Sequence, residues 1–158
     1  MQIYQTENFI VVVPEQPHIT RCDGGHIVIY PKISVVDRTK LSPKLAIELI
    51  RLTMLVGEAM TIGLKTRGID VGRINYQDNG NWSVFKPEGP HLHIHLYGRA
   101  KSATLQKWGD ALYFPHLETG FYDNCERLNE EDVAGIQKQI ELLEKEKRYT
   151  NEEGGLEV

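Results

Sequence analysis

Hydrophobic and polar positions alternate in two distinct rhythms along this chain. Phe9 to Val13 is a β-branched, apolar run closed by Pro14, and His26 to Tyr30 is a second, opened by Gly24-Gly25 and closed by Pro31. Runs of this composition between turn residues predict strands, with Glu15 to Gly25 as the loop between them. The rhythm then changes to helical spacing: Leu45, Leu49, Leu52, Val56 and Ala59 follow Ser42-Pro43. A serine cap with proline at the first helical position predicts a helix to about Ile62. Ile50, Met54, Leu55 and Met60 widen its apolar stripe, so it should lie against a sheet with much of its girth covered.

Gly68 to Gln77 alternates again, Asp78-Asn79-Gly80-Asn81 has turn chemistry, and Trp82 to Phe85 is apolar-rich, which together predict a hairpin. Lys86 to Pro90 breaks the chain before His91 to Tyr97, which alternates with period two. Periodicity then lapses until Asn129, a cap before Glu130-Glu131-Asp132, and Val133, Ile136, Ile140 and Leu143 form one narrow stripe. A second helix is expected to about Arg148, with a mobile tail over 149–158. The fold class is therefore α+β, with a main domain over 1–125 and a C-terminal amphipathic helix over 126–148.

Length and composition narrow the functional classes. A chain of 158 residues with 41% apolar and 25% charged residues is one ordinary domain with a real core. Eighteen Lys and Arg face 22 Asp and Glu, and ten of those acids fall in residues 126–158. No basic stripe exists for a phosphate backbone, so binding to nucleic acid polymers is not expected. No run is long enough for a leader or a membrane span, and two cysteines are too few for a disulfide framework. The expectation is a soluble, cytoplasmic protein away from membranes.

Residues two apart on a strand share a face, so His91, His93 and His95 form a row, with Leu92, Ile94 and Leu96 on the side that packs on the helix. Only six histidines occur in the chain, and three stand at this spacing. The outer two are about 13 Å apart, too far to meet on one metal ion without strong convergence, and no Cys, Asp or Glu beside them offers a further ligand. The chemistry that suits the row is transfer of a phosphoryl or nucleotidyl group, in which several donors surround a phosphate and one nitrogen attacks it. The middle residue, His93, is then nearest to phosphorus, provided one ring nitrogen is free and the other is held as N–H.

His91-Leu92-His93-Ile94-His95-Leu96-Tyr97 resembles the His-φ-His-φ-His-φ-φ signature of the histidine triad (HIT) superfamily, φ being an apolar residue. Gly25-His26-Ile27-Val28-Ile29-Tyr30-Pro31-Lys32 resembles its Gly-His-φ-φ-φ-φ-Pro-Lys strand, and the two stand in the family's order with a capped helix between. The likeness spans roughly residues 8–100. It implies a five-stranded antiparallel sheet with a central helix, and a homodimer; the C-terminal helical extension lies outside the likeness, and no cofactor or resident metal is expected. It also implies a nucleotide hydrolase or nucleotidyl transferase working at the α-phosphate through a nucleotidyl-histidine intermediate.

By the same resemblance His93 is the nucleophile, His91 a supporting member that orients it or relays a proton, and His95 and His26 donors to phosphate. Gln77 and Asn75, on one face of the preceding strand, and Arg99, just past the triad, are further phosphate-binding candidates. The chain departs from the pattern in lacking a Gly-Gln-Ser/Thr-Val stretch before the triad, and no clear Asn or Asp ends the first strand to hold ribose hydroxyls, where Glu15 and His18 stand as candidates or plain loop residues. Two alternatives stay open: a non-catalytic nucleotide-binding module, and a histidine-based metal protein.

Overall fold

A computed structural model describes residues 1–78 and 81–150. Five strands form one antiparallel sheet: β1 (Gln2–Gln5), β2 (Phe9–Val12), β3 (His26–Pro31), β4 (Val71–Gln77) and β5 (Ile94–Ala100). Their spatial order is β1-β2-β3-β5-β4, so β5 lies at the interior and β4 at an edge. Helix α1 (Pro43–Thr66) connects β3 to β4, and α2 (Glu130–Leu143) closes the chain's fold. The architecture is the α+β, five-stranded antiparallel one expected.

Local chemistry sets both helix starts. The Ser42 hydroxyl accepts from the Leu45 N–H ahead of Pro43, and Asn129 and Asp132 form a reciprocal capping box on α2. Asp132 is fully buried there, because Arg21 donates two hydrogen bonds to its carboxylate at 2.5 and 2.8 Å. These interactions hold the carboxyl below its ordinary range against the opposing effect of burial. The helices approach closely at Gly63, where a Cβ would stand 2.9 Å from the main chain of Ile136.

One face of the sheet carries Val11, Ile27, Ile29, Ile94 and Leu96 into a core shared with α1. The other face carries His26, His95, Tyr97 and Arg99, all buried, and two segments cover it. The loop before β3 crosses over at Gly24, whose φ of 123° and whose contact with Gly98 leave no room for a Cβ on either residue. This brings Asp23 under the segment after β5, where its carboxylate accepts the N–H groups of Thr104, Leu105 and Gln106, each at 2.8 Å. The Gln106 amide then pairs in both directions with the main chain of Tyr113. Residues 104–113 are thereby fastened to the sheet.

Several expectations change. β1 is an additional strand, formed by pairing with β2 although its sequence is half glutamine. Trp82 to Phe85 is not a strand; Asn81–Ser83 is a 3-10 turn, and β4 pairs with β5 instead. Of the turn expected at 78–81, Asn79 and Gly80 lie outside the described residues, as does 151–158 of the expected tail. Helix α1 runs on to Thr66, while α2 ends at Leu143 rather than near Arg148. The girth of α1 is not covered all round: Ile50 is 57% and Met54 53% exposed.

Candidate active site

The histidine row is half in the sheet. β5 begins at Ile94, so His91 and His93 belong to the extended segment before it, anchored where the Leu92 N–H donates to the Val35 carbonyl at 2.6 Å. The alternation of faces nonetheless holds: Leu92, Ile94 and Leu96 enter the core. Burial increases along the row, from exposed His91 through half-buried His93 to buried His95. The ring of His93 lies 5.0 Å from that of His91 and 4.6 Å from that of His95, centre to centre.

Hydrogen bonds fix which nitrogen of each ring carries the proton. The Nδ1 of His93 is 2.8 Å from the carbonyl of His91. A carbonyl only accepts, so Nδ1 carries the hydrogen and Nε2 keeps its lone pair. The main-chain N–H of His18 donates to Nδ1 of His26 at 3.1 Å. That nitrogen must therefore be an acceptor, and Nε2 of the neutral ring carries the hydrogen. It stands 2.8 Å from Nδ1 of His95, which in turn accepts, leaving the Nε2–H of His95 as a donor. A nucleophilic nitrogen and a hydrogen-bond donor are thus set side by side.

All four rings favour the neutral form. Burial, with smaller contributions from His93 and His18, lowers the pKa of His95 to about 3. Burial followed by His93 lowers His18 to about 4. His26 is held well below the ordinary value by burial and then by its imidazole neighbours. His93 is lowered by burial, with the His91 carbonyl acting in the opposite direction.

The row opens into a cavity of about 550 Å³ whose walls include Tyr30, Trp82, Lys86 and Phe114, along with His18, His91, His93, His95 and Tyr97. Tyr30 lies parallel to His93 at 5.7 Å. His18, in the loop after β2, stacks on His26 at 4.9 Å and its Nδ1 is 2.9 Å from the Tyr97 hydroxyl. Its place after the first predicted strand makes it a candidate, and it joins the site because the loop before β3 folds back over the sheet.

The remaining candidates are distributed differently from the expectation. His26 does not line the cavity itself but lies behind His18, His95 and Tyr97, which do. Gln77 stands opposite His95 in the β4–β5 register, and its buried Oε1 has no hydrogen-bond partner. Asn75 and Arg99 do not face the histidines: both line a separate cavity farther along the sheet, because each two-residue step carries a side chain more than 6 Å along the strand. Among the described residues the trio whose ring nitrogens lie within 4.8 Å of one another is His18, His26 and His95, and that set, rather than the row, could hold a metal ion. Both nitrogens of His26 are already engaged, so coordination by that ring would require breaking one of those bonds.

No family model and no curated protein matches the chain. Solved structures do. A zinc-bound histidine triad family protein from Mycobacterium smegmatis superposes with a TM-score of 0.60 at 22% identity, covering 90% of this chain and 85% of that one. A hypothetical histidine triad nucleotide-binding protein from Sulfolobus tokodaii gives 0.60 at 16% identity, with 91% and 85% covered. A uridylyltransferase gives 0.51 at 15% identity, covering 89% of this chain and 41% of that longer one. With five antiparallel strands, the crossover helix and the row of histidines leading into β5, the chain has the histidine triad fold.

Proposed function

We propose that the protein is a nucleotide hydrolase or nucleotidyl transferase in which His93 attacks the α-phosphate. The observation that carries this reading is the bond from His93 Nδ1 to the His91 carbonyl, which leaves the Nε2 lone pair available beside the His95 donor. In the first step Nε2 forms a bond to phosphorus while the bond to the leaving group breaks. The leaving group keeps the bonding electrons and takes a proton from solvent. Water, or another acceptor hydroxyl, then attacks phosphorus and releases its proton to solvent as the N–P bond breaks and His93 recovers its lone pair.

His95 donates to a non-bridging oxygen as charge grows there. His26 acts through His95 by holding its tautomer, and Gln77 supplies an open amide beside the same ring. His91 orients the nucleophile through its carbonyl. Burial favours the neutral form of His18, His26, His93 and His95 before substrate arrives, which keeps the Nε2 lone pair of His93 available for attack. A nucleoside phosphoramidate or dinucleoside polyphosphate fits this use of the site, in a cytoplasmic enzyme that works as a homodimer.

Intact-protein mass spectrometry during turnover of a nucleotide panel tests the reading. A nucleotidyl mass should accumulate on the native protein, and His93→Ala should lose both adduct and turnover while still binding nucleotide. Substantial turnover by His93→Ala would refute it. Tight binding of nucleotides by the native protein, with neither adduct nor turnover, would favour the binding-module alternative.

A further inference from the structure

The second cavity, about 280 Å³, is lined by Arg73, Asn75, Arg99, Trp108, Gly109 and Asp110. Arg99 is only 6% exposed. Its Nη2 donates to the main-chain carbonyls of Lys107 at 2.8 Å and Asp110 at 2.9 Å, but its Nε is buried with no hydrogen-bond partner. No carboxylate pairs with this guanidinium among the described residues. A buried cation satisfied only in part, and by neutral carbonyls, is in an unfavourable setting unless an anion completes it.

A second arginine is brought to the same place by an irregularity in the sheet. Val71 pairs with Ala100 and Arg73 with Arg99, so two steps on β4 match one on β5, a bulge at Gly72. Without the extra residue Arg73 would share the face of Val71, which is in the core. With it, Arg73 stands directly opposite Arg99 on the histidine-bearing face. Like charges opposed across a ladder repel. The same Gly72 leaves the space that the Trp108 ring occupies, since a Cβ there would stand 2.7 Å from that ring. Asp110 lines the cavity without an ion pair to either arginine among the described residues.

We propose that this cavity is a binding site for a small free oxyanion of the phosphate type, held between Arg73 and Arg99 and capped by Trp108. It is distinct from the site of the nucleotide. Arg99 is six residues beyond His93, roughly 20 Å along the strand, and the fully buried Tyr97 lies between them. Arg73 and Arg99 provide charge-assisted donors, and Asn75 can supply a neutral one.

NMR of the full-length protein titrated with inorganic phosphate tests this, following the Trp108 indole N–H and the Arg99 Nε–H against sodium chloride at equal ionic strength. Both signals should shift saturably with phosphate only. Arg73→Ala, an exposed position, should weaken that response roughly tenfold, as expected for loss of a charged hydrogen bond, with nucleotide turnover unchanged. Adenosine monophosphate should move the histidine ring signals without displacing phosphate from Trp108. Equal responses to chloride, an undiminished response in Arg73→Ala, or displacement by the nucleotide would each overturn the proposal. All three readouts are independent of whether His93 is a nucleophile.

Discussion

The Nε2 of His26 stands 2.8 Å from the Nδ1 of His95, although the two residues are 69 positions apart in the chain. They are diagonal neighbours on β3 and β5, where His26 pairs with Tyr97 and Val28 with His95. The contact transmits a tautomer: a main-chain N–H at His18 determines which nitrogen of His26 is protonated, and His26 determines the same for His95. His26 is therefore a positioning residue. His26→Ala should lower kcat about tenfold, the worth of one hydrogen bond, with KM for nucleotide little changed. His26→Gln retains an N–H donor of similar reach and should recover part of the loss. Equal loss in the two variants would assign His26 a packing role only.

His95→Ala removes the donor itself. Its cost should be larger, about 100- to 1,000-fold in kcat, if that donor acts on the charge developing at phosphorus. Single-turnover kinetics with a nucleotide substrate measure this, and a loss confined to KM would contradict it.

Acid should destabilise the fold. An unfolded histidine takes up its proton near 6.5, whereas folded His95 does so only at about 3 and His26 well below its ordinary value. Between these limits the unfolded chain holds more protons, so stability rises with pH through the window from about 3 to 6.5, and above it these rings contribute no slope. Each buried ring contributes at most about 1.4 kcal/mol per pH unit. Urea denaturation at a series of pH values should show stability falling once pH drops below the ordinary histidine value. A flat profile down to about pH 5 would show that the rings are not held neutral.

The carboxylate of Asp23 receives three consecutive main-chain N–H groups from residues 104–106. Asp23→Ala strands all three. A loss of about 2–4 kcal/mol in unfolding free energy is expected, together with faster proteolysis within 101–113 than elsewhere. Uniform proteolysis would mean that this segment is held by its other contacts.

Ile47, Ile50 and Met54 form an exposed apolar stripe on α1, and β4 is an edge strand of the sheet. If this face joins two copies, Met54→Glu should shift sedimentation from dimer to monomer, while the monomer's own stability changes by no more than about 0.5 kcal/mol. A dimer that survives the substitution places the interface elsewhere.

What the sequence by itself determined is whatever depends on neighbours in the chain. The two-residue spacing put His91, His93 and His95 on the side opposite Leu92, Ile94 and Leu96. Ser42-Pro43 and Asn129 marked helix starts because a cap bonds to amides only two or three residues ahead. Backbone pairing decided the rest. Gln2–Gln5 is a strand because β2 supplies its partners, and apolar Trp82 to Phe85 is not one because Asn81–Ser83 turns as a 3-10 helix and β4 pairs with β5. His18 enters the site because the loop before β3 folds back over the sheet, and Arg73 joins Arg99 in a separate cavity through strand register and a bulge at Gly72. Those contacts join residues far apart in the chain, and no local pattern encodes which distant segments meet; only burial of the whole sheet between its helices and its covering loops selects them.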